Sequence, residues 1–174
     1  MDVRVLSDSE VDSNILSLSH LLIECVADGA SVGFMENLHQ SAAEEYWKSV
    51  LTRYRGGALL VFGAFIADAL VGTVMLLVNT PPNQPHRADV SKLLVNPKYR
   101  RRGVAKALLV AVEEKAREMG RYLLLLDTET GSSADTLYRN LGWKEVGKVP
   151  RHALSPSGEL RATTYFYKEL YAND

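Results

Sequence analysis

Residues 87–127 limit the folds open to this chain more than any other stretch. RADVSKLLV (87–95) is strand-like, and Pro97 ends it because proline has no N–H to give a ladder. After YRRRG, residues 104–119 place Val104, Leu108, Val112 and Met119 on one helical face, with Lys106, Glu113, Arg117 and Glu118 elsewhere, and Gly120 stops the helix. YLLLL (122–126) is continuously apolar, the pattern of a parallel strand covered on both faces. Strand, loop, helix and strand in this order make a right-handed parallel crossover unit. Ligands of open α/β sheets sit beyond the carboxyl ends of such strands. The RRRGVA loop falls beyond one strand and Asp127 beyond the other.

The rest of the pattern is also α/β. DVRVL (2–6) reads as a short first strand. Ser9 or Asp12 could cap a helix carrying Ile15, Leu18, Leu22 and Val26 at helical spacing, ending near Gly29. Residues 30–40 (ASVGFMENLHQ) are irregular and unusually apolar for a loop. A second helix spans about 42–54 and stops at Gly56-Gly57. Strands at 58–66 and 70–78 join through a tight turn, and 79–85, with three prolines, is a loop. A helix at 132–141 ends at Gly142, and strands at 143–149 and 162–170 close the sheet around SPSG. No repeat, linker or low-complexity tract divides the chain, so a single domain over 1–174 is expected.

GALLVFGAFIADALVGTVMLLV (57–78) is long enough to span a bilayer. Asp68 sits at its middle, however, where a charge costs about 2.5–3.5 kcal/mol, and Gly63 and Gly72 interrupt it. Two buried strands turning near Ala67-Asp68 explain the stretch better, and no membrane partner is expected. The first ten residues show no basic segment followed by an apolar one, so no signal peptide is expected. With 20 basic and 21 acidic residues, the arginine run is a local feature. That balance speaks against a nucleic-acid partner, whose phosphates demand a basic excess. The single cysteine, Cys25, cannot form an internal disulfide, which suits a reducing cytoplasm. Beside Ile23 and Val26 it reads as a small buried hydrophobe, not a nucleophile. His20, His39, His86 and His152 lack metal-site spacing and no CxxC occurs, so no metal is expected.

A helix N-terminus binds phosphate through unpaired backbone N–H groups and the positive end of its dipole. Gly103 lets the chain approach closely, and Arg100, Arg101 and Arg102 add charge. Neither GxxxxGK[ST] nor GxGxxG occurs, which excludes the usual NTPase and dinucleotide signatures. On spacing alone, a solvated basic turn accounts for YRRRGVAKAL equally well.

VSKLLVNPKYRRRGVAKALLVAVEE resembles the acetyl-CoA-binding signature of the GNAT superfamily of N-acetyltransferases, (Q/R)-x-x-G-x-(G/A), matched by residues 100–105. AVEEKAREMGRYLLLLDTETGSSADTLYRNLGWKEVG is similar to the helix, strand and second CoA-contacting helix of that family, including the Ala134, Tyr138, Leu141-Gly142-Trp143 spacing. GASVGFM, RADVSKLLV, LDTETGS and VGKVPRHALSPSGELRATTYFYKEL further resemble the bacterial tabtoxin-resistance-type acetyltransferases, which modify the amine of a small β-lactam toxin.

The resemblance implies an α/β GNAT fold: a central mixed twisted sheet of about seven strands, with strands 4 and 5 parallel and splayed, flanked by about four helices. It implies acetyl-CoA as acetyl donor, gripped by Arg100, Arg101, Arg102, Gly103, Val104 and Ala105 mainly through backbone amides. Leu93, Leu94 and Val95 would bond the pantetheine arm like an added strand, and an N–H near Leu94 or Val95 would polarise the thioester carbonyl. Ser132 and Ser133 stand where many members carry asparagine. Ser31, Val32 and Phe34 would line the acceptor pocket.

An acceptor amine has a pKa near 10.4 and must lose a proton before it attacks. Asp89 and Asp127 match the positions of the tabtoxin-resistance type's candidate bases, and Tyr138 matches the tyrosine that would protonate the departing thiolate. Competing roles are open for each: Asp127 could cap the turn before the next helix, Asp89 could be a solvated residue paired with Arg87 or Lys92, and Tyr138 could be a core aromatic. The implied activity is direct acetyl transfer, without an acyl-enzyme, to a primary amine of a small molecule, with amino-acid-like toxins or antibiotics among the candidates. A protein or peptide acceptor and a CoA-binding sensor without turnover are the alternatives. A cytoplasmic homodimer is expected.

Overall fold

In the computed structural model, which describes residues 1–171, one sheet runs through the molecule. Its strands are β1 (Asp2–Val5), β2 (Leu59–Ile66), β3 (Ala69–Leu77), β4 (Arg87–Val95), β5 (Leu123–Glu129), β6 (Lys144–Leu154) and β7 (Leu160–Glu169). The order across the sheet is β1-β2-β3-β4-β5-β7-β6. Only the β4–β5 pair is parallel. The helices are α1 (Asp8–Ser13), α2 (Ile15–Ala27), α3 (Gln40–Arg55), α4 (Val104–Glu118) and α5 (Ser133–Asn140). Positions 172–174 of the expected domain lie outside the described residues.

The first helix starts at neither Ser9 nor Asp12. Ser7 is the cap: its hydroxyl accepts the Glu10 N–H, and the Glu10 carboxylate accepts the Ser7 N–H at 2.8 Å, a reciprocal capping box. Asn14 then separates α1 from α2, which makes five helices where about four were expected. The 57–78 stretch is the β2–β3 hairpin. Its turn residues Ala67 and Asp68 have φ of 47° and 65°, the left-handed pair that matches strand twist. Among the described residues no helix is long and apolar enough to cross a membrane.

Each face of the sheet carries its own core. Leu108, Leu109, Val112 and Ala116 of α4, with Tyr138 of α5, pack on one face against Ala88, Val90, Leu124, Leu126 and Phe166. On the other, Leu18, Leu22, Cys25 and Trp47 of α2 and α3 pack against Val61, Met75 and Leu94. Met119 is not on the α4 core face: it follows the last helical residue and stays 38% exposed. A Cβ on Gly72 would lie 2.9 Å from Val104 Cγ1 and 3.1 Å from the Leu94 carbonyl oxygen. That bare position lets the start of α4 settle on β3 beside the end of β4. Arg121 fixes the other end of the crossover, donating to the Arg87 and Val78 carbonyls. Lys168 of β7 is held by Glu113 of α4 at 2.7 Å and by the Leu141 carbonyl at 2.9 Å.

Candidate active site

β4 and β5 pair over three rungs only, the last being Asp89 with Leu125. Beyond it the strands part, so the β4 edge facing β5 has no strand partner from Val90 onward. Across β3, Asn96 N–H donates to the Val71 carbonyl and Gly72 lies opposite Val95. In an antiparallel ladder this alternation turns the Val95 N–H away from β3 and toward the gap, whereas Leu94 bonds to Thr73. Of the two candidate donors, Val95 is therefore the one facing the gap.

A bulge shifts the β3–β4 register between Thr73 and Met75, and Lys92 takes the left-handed conformation, φ 54°. The extra residue reverses the facing of the side chains. Ala88, Val90, Leu93 and Val95 pack toward α4, while Leu94 and the Lys92 side chain lie toward α2 and α3.

The loop after β4 is built to present backbone. Asn96 caps a 3-10 turn at Pro97–Tyr99 by accepting the Lys98 N–H. Arg101 and Gly103 both have positive φ, 59° and 80°. None of the N–H groups from Arg101 to Lys106 donates to a backbone carbonyl, and the first such bond of α4 is Ala107 N–H to the Gly103 carbonyl. These donors converge at the positive end of the α4 dipole. The arginines divide the work. Arg100 pairs with Asp28 and reaches the Val95 carbonyl, tying the loop to α2. Arg102 lies over the Tyr99 ring at 5.2 Å, and Arg101 is exposed.

Asp127 lies within β5, opposite Tyr165 of β7, rather than at the strand's end. It does not cap the following turn. Ser132 does, accepting the Asp135 N–H at 3.1 Å, while the Asp135 carboxylate accepts the Gly131 N–H at 2.7 Å. Ser133 is exposed at the start of α5. Tyr138 is 5% exposed and packs against Trp143 and Phe166. Burial pushes its hydroxyl pKa well up, and the Asp127 charge pushes it further, so the phenol stays protonated. Asp89, at the fork of the two strands, is half-buried and paired with Arg87 at 3.0 Å; the anticipated alternative partner, Lys92, turns elsewhere.

Lys92 was not foreseen. Its Nζ lies 5.9 Å from the centre of the Phe34 ring and 5.8 Å from that of Tyr46. Burial depresses its pKa, the Asp127 charge opposes that, and Arg53 adds to it. The signal was the broken alternation in DVSKLLV, where apolar Val90 is followed by Leu93 instead of position 92. Phe34 and Val32 border this region from the 30–39 loop, and Ser31 is half-buried beside them. Glu36 N–H donates to the Pro156 carbonyl, which ties that loop to the tip of the β6–β7 hairpin. The hairpin is longer than anticipated, with residues 150–154 joining β6. Cys25 is buried; its thiol donates to the Val95 carbonyl at 3.4 Å, and burial raises its pKa to about 11. Among the described residues no three His, Cys, Asp or Glu side chains group as a metal site.

Comparison with known proteins bears on this geometry. The sequence profile of the Acetyltransferase (GNAT) family matches residues 20–143. Human N-acetyltransferase 8 is 37% identical over 83 residues, 47% of this chain and 37% of that protein, so the chain spans well under half of that relative. Glucosamine 6-phosphate N-acetyltransferase of Trypanosoma brucei brucei is 25% identical over 146 residues, 83% of this chain and 89% of that one. The Salmonella typhimurium protein yncA, solved with its cofactor acetyl-CoA, superposes with a TM-score of 0.78 at 14% identity, covering 100% of this chain and 96% of the other. That last likeness is one of fold.

Proposed function

The chain belongs to the Acetyltransferase (GNAT) family, and from that premise we propose that it transfers the acetyl group of acetyl-CoA directly to a primary amine of a small molecule. The observation that carries this reading is the parting of β4 and β5 at a strand end followed by the unpaired N–H groups of Arg101–Lys106. A pantetheine arm fits the first and a pyrophosphate the second.

Acetyl-CoA supplies the acetyl group as an activated thioester. The backbone of Arg101–Ala105 binds the diphosphate, with Arg100 holding the loop in place. Ser132 and Ser133 flank the cofactor from the start of α5. Leu93 and Val95 hydrogen-bond the arm along the free edge of β4, with Leu94 packing beneath, and the Val95 N–H polarises the thioester carbonyl. Asp127 accepts a proton from the acceptor's ammonium, directly or through water, and the neutral amine then attacks the thioester carbonyl, with Asp89 at the fork as the second candidate base. Tyr138, kept protonated by burial, donates to the departing sulfur and regains a proton from the one that the acylated nitrogen sheds. Cys25 forms no acyl-enzyme, because a buried thiol with a pKa near 11 is not a thiolate at neutral pH.

The bond between Glu36 and Pro156 favours an enclosed acceptor region bordered by Ser31, Val32 and Phe34 over the open groove that a protein or peptide acceptor needs. The resemblance to tabtoxin-resistance-type enzymes brings amino-acid-like toxins and antibiotics into the panel of acceptors, and the trypanosomal relative brings amino-sugar phosphates. Exposed Val146, Val149 and Leu154 on the outer strand β6 support the homodimer, which light scattering would measure. A cytoplasmic setting completes the reading.

The test is release of the CoA thiol on addition of each amine. Turnover is expected from the wild type. In Gly103→Glu, calorimetry should detect no acetyl-CoA binding, since the new carboxylate lies against the diphosphate. Full binding by that variant would overturn the site. Tight CoA binding without turnover on any amine would favour the sensor.

A further inference from the structure

Lys92 stands out once the transfer machinery is accounted for. It is a half-buried ammonium held out of strand register by the β4 bulge, under the Phe34 and Tyr46 rings, on the acceptor side of the sheet. Among the described residues it has neither a carboxylate within 4.0 Å nor a hydrogen-bond acceptor. An ammonium taken partly out of water without a partner is costly, and two ring faces near the outer limit of cation–π attraction offset little of that cost. The opposite charge in reach is Asp127, which acts on Lys92 across a gap wider than an ion pair. Arg53 adds a second positive charge from α3.

We infer that Lys92 is the anion anchor of the acceptor site, so that the preferred acceptor is a zwitterion, with its amine at Asp127 and a carboxylate on Lys92. The inference rests on the acetyltransferase reading and narrows its substrate class. A molecule with a cation at one end and an anion at the other fills the gap between Asp127 and Lys92 with complementary charge at both ends. It also leaves the amine beside the base and the thioester, and supplies the partner that the buried ammonium lacks. The Phe34 and Tyr46 rings would pack on the short carbon skeleton between the two groups. A simple diamine would place its second cation against Lys92 and Arg53.

The test uses matched probes: L-ornithine against putrescine, and L-methionine against L-methioninamide, each followed by thiol release from acetyl-CoA. In the wild type the acids should exceed their carboxylate-free partners in kcat/KM by roughly 10- to 100-fold, the range of one charge-assisted hydrogen bond. Lys92→Gln should bring that ratio toward one through a rise in the acid's KM, and Lys92→Arg should restore part of it. Equal use of acid and partner by the wild type, or a loss in Lys92→Gln confined to kcat, would overturn the anchor while leaving the acetyltransferase standing. Calorimetry of each acid with the CoA-saturated protein reads the anchor without turnover. Binding that vanishes in Lys92→Gln would sustain the anchor even if no amine were acetylated, and absence of binding by the wild type would overturn it.

Discussion

Tyr138 holds its proton because of where α5 puts it. The ring is closed in by Trp143 and Phe166, and the Asp127 charge opposes formation of a phenolate. If Tyr138 is the proposed proton donor, it contributes only when the sulfur leaves, so Tyr138→Phe should lower kcat by about 100-fold or more while the acetyl-CoA Kd stays within about twofold. The same burial fixes the pH behaviour. A phenol whose pKa is raised above its usual value near 10 gives no alkaline limb below that pH. The phenylalanine variant should therefore keep the wild-type shape of the kcat/KM profile at a lower plateau. A wild-type limb that disappears in the variant would show that the hydroxyl titrates in that range and would sink this account. Residues at this scale were unequally legible. Tyr138 could be singled out only through the family resemblance, which the Ala134, Tyr138, Leu141-Gly142-Trp143 spacing carries. For Lys92 the broken alternation in DVSKLLV marks an irregular strand, but the side chain's setting under Phe34 and Tyr46 depends on partners distant in sequence.

At the scale of elements, α5 shows how a short helix is held in place. Eight residues have little stability of their own, and the start of α5 depends on Ser132 and Asp135. Burial pushes the Asp135 carboxyl up, but the Gly131 N–H and the Arg139 guanidinium outweigh it and hold the pKa below its ordinary value. A carboxyl held down in the fold contributes stability above its unfolded value, near 3.9, and loses it as the pH falls through its folded one. Asp135→Asn should therefore destabilise the protein by about 1–3 kcal/mol at pH 7, mainly through the Gly131 N–H, since Arg139 is half-exposed and screened. The difference should shrink by pH 3. Urea midpoints at the two pH values measure it, and an equal gap at both would mean that packing, not charge, is what the carboxylate supplies. Helix stops at Gly120 and Gly142 and the β2–β3 turn were readable because backbone geometry at those positions is local. Asp127 lying within its strand was not, since that depends on how far β7 pairs along β5, and the β4 bulge left only the broken alternation in DVSKLLV as a trace.

Across the whole molecule, the sheet order carries the β6–β7 hairpin from the far edge back to the loop after α2. Sequence could place two closing strands around SPSG but not their reach, because the tip is ordered by a partner more than a hundred residues earlier. Ser155 and Pro156 are buried at that tip. The turn is closed by Ser155 N–H to the Glu159 carbonyl at 2.8 Å and Gly158 N–H to the Ser155 carbonyl at 2.9 Å, and the Glu36 N–H docks on Pro156. In the proposed reading, a compact tip bonded to the wall of the acceptor site limits what can enter from that side, whereas the loop proposed to bind the diphosphate precedes α4. Replacing residues 155–158 with two glycines should therefore act on the acceptor and not on the donor. KM for a small amine should rise about 10-fold, as the wall formed by Val32 and Phe34 loses its brace, with KM for acetyl-CoA within about twofold. Acetylation of a short peptide amine relative to the small amine should increase. Steady-state kinetics on the two acceptors decides it: a parallel loss for both, or a change confined to acetyl-CoA, would mean that the hairpin supports the sheet without shaping the acceptor site.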